Sequence, residues 1–315
     1  MSATIILGVS RSGTTLLRSM LNAHSELAIP SESYFIPQLW DRHGARPDRT
    51  AILADLGRLE RVRQWGVDVD EVAARLPAAP SFAQVIDGLY SAYAENRRKQ
   101  RYGDKTPLYM QHLDLLARVF PDARYVHIVR DGRDAALSFL AMTRRPRFNV
   151  SRPRGLADFA AAWRREILAA RRFGRDHPYF ELRYEELVTE PEAHLREVCA
   201  FLGLEYQAAM LEYHRDADPD ITVDHALLTR PPVQAARKWR EQMASKDVEL
   251  FEAVAGDVLS ELGYERAHPA PGRRARATAE RALYAARVTA WHAALPLVRK
   301  SPAWRLRQVY IRRST

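Results

Sequence analysis

The chain has 315 residues, 47% of them hydrophobic, and a formal net charge of +9. That length can bury a large core as one sizeable α/β domain, or as one domain with an appendage. A single cysteine, Cys199, excludes an intramolecular disulfide and suits a reducing compartment. No apolar run is long enough to span a bilayer, and the first residues lack the basic region and long apolar stretch of a signal peptide. The expectation is therefore a cytoplasmic protein. The excess charge is local: Arg266–Thr315 holds 12 Lys+Arg and one acid, Glu280, whereas residues 1–265 hold 36 basic and 38 acidic residues. The main body is not basic, and no nucleic-acid partner is expected from it.

In chain order, Thr4–Val9 reads as a buried strand and Thr14–His24 as a helix with Leu17, Met20 and Leu21 on one face. Residues 50–100 read as mainly helical, interrupted at Pro77 and Pro80. Arg124–Val129 is a second strand, with a helix over Ala135–Met142, and Pro146–Pro153 is a lid candidate. A helix over Asp158–Phe173, a third strand at Tyr179–Arg183 and helices over Pro191–Leu202 and Val248–Leu262 follow. Strands separated by helices predict an α/β, P-loop-containing three-layer fold with a central parallel sheet flanked by helices. A break at His268–Gly272 sets off the tail, giving expected domains of 1–265 and 266–315, the latter basic and helical.

Three stretches carry chemistry. The first is GVSRSGTT, Gly8–Thr15, directly after the first strand. It keeps the two glycines of the Walker A pattern but has Thr14 where that pattern has lysine. Backbone N–H groups of such a loop, a helix N-terminus and the hydroxyls of Thr14 and Thr15 suit a phosphate. The missing lysine argues against a γ-phosphate ligand. Alone, the loop fits a plain strand-to-helix turn equally well. The second stretch is HIVRDGRDAALSF, with Arg130 at a strand's carboxyl end and Ser138 eight residues on. That edge is where open α/β sheets place ligands, and an arginine fork with a hydroxyl suits a second anion. Alone, a surface bridge from Arg130 to Asp131 or Asp134 is the simpler reading. The third is ARKWRE, Ala236–Glu241, where Arg237 and Lys238 could reach the same phosphate. Alone, it is an ordinary helix start.

Together these motifs resemble the sulfotransferase superfamily that uses 3'-phosphoadenosine 5'-phosphosulfate (PAPS). SRSGTTLLRSMLNAH followed by ESYFIP is most similar to tyrosylprotein sulfotransferases and related bacterial enzymes. The resemblance spans roughly residues 4–240 and is thin between 40 and 100. It implies that the loop, Arg11, Ser12, Gly13, Thr14 and Thr15, cradles the 5'-phosphosulfate. It assigns the 3'-phosphate to Arg130, Ser138, Arg237 and Lys238. Arg11 would lie near the transferring sulfonate, Glu32 would be the catalytic base, Lys105 of GDKTP the catalytic cation, and Tyr184 of RYEEL the tyrosine beside the donor. Two departures stand out: Met142 lies where a further 3'-phosphate arginine is expected, and Ser31 where a second acid flanks the base.

The implied activity is in-line sulfonate transfer from PAPS to a hydroxyl, leaving 3',5'-phosphoadenosine (PAP). Fixed cations would stabilise charge on the leaving oxygen, and a carboxylate would take the acceptor's proton. A small molecule, a glycan, a lipid or a peptide tyrosine could be the acceptor. Alternatives are a P-loop nucleotide kinase or nucleotide-binding protein, which needs a Mg²⁺-dependent γ-phosphate site, and a non-catalytic anion-binding module. No histidine pair has metal-ligand spacing, and Cys199 sits on an apolar helical face, so no metal is expected. His24 reads as helix-end packing and His127 as part of a strand. In the tail, Tyr284, Val288, Trp291 and Leu295 recur at helical spacing among arginines. Such a segment packs on the catalytic domain or a second subunit, or makes peripheral membrane contact through 270–315.

Overall fold

The computed structural model describes residues 2–142, 153–215, 238–269 and 274–300. Five strands, β1 (Thr4–Leu7), β2 (Leu27–Ala28), β3 (Arg101–Lys105), β4 (Arg124–Val129) and β5 (Tyr179–Arg183), form one parallel sheet in the order β2-β3-β1-β4-β5. Helix α1 (Thr14–Asn22) joins β1 to β2. Helices α2 (Ile36–His43), α3 (Arg49–Arg58), α4 (Glu60–Gln64), α5 (Val69–Arg75) and α6 (Phe82–Asn96) lie between β2 and β3. Helix α7 (Leu113–Val119) precedes β4, and α8 (Gly132–Met142) and α9 (Leu156–Phe173) separate β4 from β5. After β5 come α10 (Tyr184–Thr189), α11 (Pro191–Leu202), α12 (Trp239–Gln242), α13 (Ser245–Glu261) and α14 (Arg274–Lys300).

The chain divides into two compact units, residues 1–131 with 166–238, and residues 132–165 with 239–315. The whole sheet belongs to the first. There β1 is central and fully buried, and its side chains alternate between two cores as a pleated strand requires. Ile5 and Leu7 join the larger core, with Trp65, Tyr90 and Phe82, while Ile6 joins the other, with Leu17, Val126 and Val198. Expected strands β1, β4 and β5 are present; β1 stops at Leu7, where Gly8 opens the loop. Strands β2 and β3 were not anticipated, because β2 has two residues and β3 reads Arg-Tyr-Gly-Asp-Lys, without an apolar pattern. The interruption foreseen at Pro77 and Pro80 separates α5 from α6, and α6 restarts on a Ser81–Gln84 capping box. His24 and His127 are buried as packing residues, and Cys199 is buried on α11.

In the second unit, Arg133 at the start of α8 is fully buried. Its Nη1 lies 2.6 Å from Glu252 Oε1 on α13, and its guanidinium stacks 3.7 Å over the Trp239 ring. Asp134 Oδ1 accepts the Trp239 N–H at 2.8 Å, and Glu252 accepts N–H groups from Ala267 and His268. Helix α14 buries Ala277, Tyr284 and Val288 within this unit, and Arg287 Nη2 pairs with Asp158 at 2.7 Å. The amphipathic face read from Tyr284 and Val288 is thus a packing face, while residues 301–315 lie outside the described part. No described helix is long and apolar enough to cross a membrane. Arg133→Ala should leave the buried Glu252 carboxylate with its two N–H donors and Arg266 at 3.9 Å and cost about 3 kcal/mol, read as a lower urea midpoint for the transition of this unit; an unchanged midpoint would show the pair to be dispensable.

Candidate active site

Parallel pairing points the carboxyl ends of all five strands the same way, and each leads into a residue singled out from the sequence. β1 runs into the Gly8–Thr15 loop, β2 into Glu32, β3 ends on Lys105, β4 delivers Arg130 and β5 delivers Tyr184. The chain order reverses about β1, which makes this edge a ligand crevice.

The loop is built to approach an anion. Arg11 and Gly13 both have positive φ, 74° and 95°, the left-handed geometry that anion-binding turns use, while the Ser12 N–H between them donates to the Val9 carbonyl at 3.0 Å. A side chain at Gly13 would meet the Tyr184 ring at 2.3 Å. Ser12 is 0% exposed and its Oγ has no hydrogen-bond partner among the described residues. A buried hydroxyl without a partner is what a bound phosphate oxygen would satisfy. Arg130 lies 4.5 Å over the Tyr184 ring, and its Nη1 donates to the Arg11 carbonyl at 3.3 Å. The strand-end arginine therefore lies against the loop. The loop, Arg130 and Tyr184 fit a phosphate-bearing nucleotide.

Lys105 joins this cradle to Glu32. It is 3% exposed; its Nζ donates to Thr15 Oγ1 at 3.2 Å and to Glu32 Oε1 at 2.5 Å. Burial pulls the Lys105 ammonium below its ordinary range, and the Glu32 carboxylate works against that. Glu32 is held from both flanks. Ahead of it, the Ile29 carbonyl accepts from Arg18 Nε at 2.9 Å and the Ile29 N–H donates to Asn22 at 2.8 Å. Ser31 Oγ accepts from Trp65 Nε1 at 3.1 Å. Behind it, the Ser33 N–H donates to Thr106 Oγ1 at 3.0 Å and Ser33 Oγ to Asp104 Oδ2 at 2.9 Å.

This anchor was not legible in the sequence. Asp104, buried beside Lys105, also accepts from Tyr90 OH at 2.5 Å, and Tyr109 OH lies 2.5 Å from Ser33 Oγ. Burial pushes both phenols far up, which keeps them protonated as donors. It also pushes the Asp104 carboxyl up, opposed by the hydrogen bonds from Tyr90 and Ser33. Only the DK of GDKTP hinted at it; its partners come from distant segments.

Ser138 lies half-buried on α8 in the second unit, and Lys238 is exposed just before α12. Arg237 and residues 143–152 lie outside the described part. Among the described residues no group of three His, Cys, Asp or Glu could hold a metal.

The sequence profile described as "Sulfotransferase family" matches residues 4–208. The chain belongs to the sulfotransferase family. It is an enzyme of the PAPS-dependent class. Protein-tyrosine sulfotransferase 1 of Danio rerio is 27% identical, over 82% of this chain and 71% of its own length. Nodulation protein NoeE of Sinorhizobium fredii is 28% identical, over 83% of this chain and 65% of its own. The chain thus spans about two thirds of these curated relatives. The sulfotransferase domain from the Synechococcus PCC 7002 olefin synthase matches with a TM-score of 0.57 at 25% identity, covering 84% of this chain and 94% of that one.

Gly13→Ala forces a left-handed Cβ, which costs about 1 kcal/mol, and drives the Tyr184 ring away. Calorimetric affinity for PAP should fall at least tenfold; unaltered affinity would remove Gly13 from the cradle.

Proposed function

We propose that this sulfotransferase moves a sulfonate from PAPS to a hydroxyl acceptor, with Glu32 as general base. The observation that carries the reading is Lys105: one buried ammonium contacts both the phosphate-type loop, through Thr15, and the only carboxylate for which the sequence implies a base role. In the proposed arrangement the loop residues Arg11–Thr15 hold the 5'-phosphosulfate. Arg130, against Tyr184, takes the 3'-phosphate, and by resemblance Ser138, Arg237 and Lys238 share that role. An acceptor oxygen attacks sulfur as the bond from sulfur to the phosphate oxygen breaks, and PAP leaves with the electron pair. Lys105 and Arg11 offset charge on that leaving oxygen, while Glu32 takes the acceptor proton. A donor anion beside Lys105 competes with Glu32 for the ammonium, which would release the carboxylate for proton transfer. The acceptor is a hydroxyl compound, consistent with tyrosine sulfotransferases among the relatives. Family membership and Thr14 in place of the Walker lysine leave the nucleotide-kinase reading without support.

Glu32→Gln should lower transfer by about 10²–10⁴-fold while PAP affinity does not weaken; retained turnover would exclude Glu32 as base. Arg130→Ala should weaken PAP binding by about tenfold or more, and far more than binding of adenosine 5'-phosphate. Equal loss for both nucleotides would take Arg130 out of the 3' site.

A further inference from the structure

Resting on that reading, we propose that Tyr34 is the ring on which the acceptor lies, so that the acceptor's hydroxyl is carried on a ring with a stackable face, a phenol or a pyranose. The segment from Ser31 to Phe35 divides its side chains by role. Ser31 and Ser33 are tied to protein groups, through Trp65 and through Asp104 and Thr106. Phe35 packs into the aromatic core, 5.6 Å from the Trp65 ring. Glu32 and Tyr34 are the two left over. Tyr34 is 41% exposed and, among the described residues of the first unit, the one exposed large hydrophobic side chain. The neighbouring rings of Trp65, Tyr90, Tyr93 and Tyr109 are all buried.

Its backbone makes the exposure more pointed. Tyr34 has φ 58°, the left-handed region that bulky residues avoid and that glycine or asparagine would occupy with less strain. Tyr34 belongs to neither core cluster of this unit, so core packing does not account for the strain and the ring has room for another use.

Distance completes the argument. Two residues of chain span at most about 7 Å, so the Tyr34 backbone is no further than that from Glu32. An acceptor whose hydroxyl reaches the Glu32 carboxylate therefore has its carbon frame close to the segment that carries this ring. Aromatic faces bind other aromatic rings by offset or edge contact, and the apolar face of a sugar offers a stackable surface too. A ringless alcohol gains little from it.

The full-length protein is assayed with PAPS and three probe acceptors: 4-nitrophenol, methyl β-D-glucopyranoside and propane-1,3-diol. Alongside, thermal shift with PAP reports donor binding. Wild type should use at least one ring-bearing probe, with the diol poorer by KM, and the better ring tells phenol from pyranose. Tyr34→Ala should raise KM for that probe about tenfold with kcat and the PAP shift little changed, and Tyr34→Phe should retain most of the affinity. Tyr34→Gly should lose acceptor affinity as Ala does, yet melt no lower than wild type, because it relieves the backbone; a merely structural tyrosine would not separate those two readouts. An unchanged KM in Tyr34→Ala, equal effects on ring-bearing and ringless acceptors, or PAP binding without transfer to either ring overturns the proposal alone. Absence of any PAP shift in wild type overturns the donor reading itself, and this inference with it.

Discussion

The Lys105–Glu32 pair is the contact on which the arrangement depends. An ammonium taken out of water costs several kcal/mol unless a counter-charge and hydrogen bonds replace its hydration. Here Glu32 Oε1 and Thr15 Oγ1 are its named partners. The three groups come from the segments after β2, at the end of β3 and after β1, so the pair fastens three strand ends together. It also sets a carboxylate against the ammonium beside the anion cradle.

A pair of this kind works only if its two members keep their spacing. Lys105 is fixed by the sheet, since β3 runs in register with β1 and Lys105 sits opposite Ile6. Glu32 has no such support, because β2 is only two residues long. The Asp104 cluster supplies what the short strand lacks. Asp104 adjoins Lys105 in β3 and holds Ser33, the residue after Glu32, so Glu32 and Lys105 are referred to one strand by a path of two side chains. Tyr90 and Tyr109 donate into the cluster from α6 and from the turn after β3, which ties the helical layer to the same point.

This explains what the sequence could and could not disclose. Strands β1, β4 and β5 and most helices were legible because apolar periodicity reports burial. β3 was not, because its last two positions are a buried acid and a buried lysine, and chemistry replaced pattern there. The loop, Glu32, Arg130 and Tyr184 were legible through motifs that sit at strand ends. Asp104 with Ser33, Tyr90 and Tyr109 was not, since these residues approach only after the sheet forms. Ser31 illustrates the limit: the sequence marks it as the place of a missing acid, while its hydroxyl in fact accepts from Trp65 Nε1 and anchors the Glu32 segment from the other side.

The loop that lacks the Walker lysine does not lack a lysine nearby. Pairing of β3 beside β1 brings Lys105 to Thr15, one residue beyond the vacant motif position at Thr14. The charge has moved from a flexible loop to a strand end. A loop lysine suits a chain of phosphates shared with Mg²⁺, where the cation spans two of them. A strand-borne lysine is fixed relative to a neighbouring carboxylate, and the two can act on opposite sides of one transferring group. A sulfonate carries less negative charge than a terminal phosphate, so one fixed ammonium with an arginine and the loop can match it. Moving the lysine thus changes more than the source of the charge: it brings the cation into contact with the Glu32 carboxylate, which a Walker loop by itself does not do.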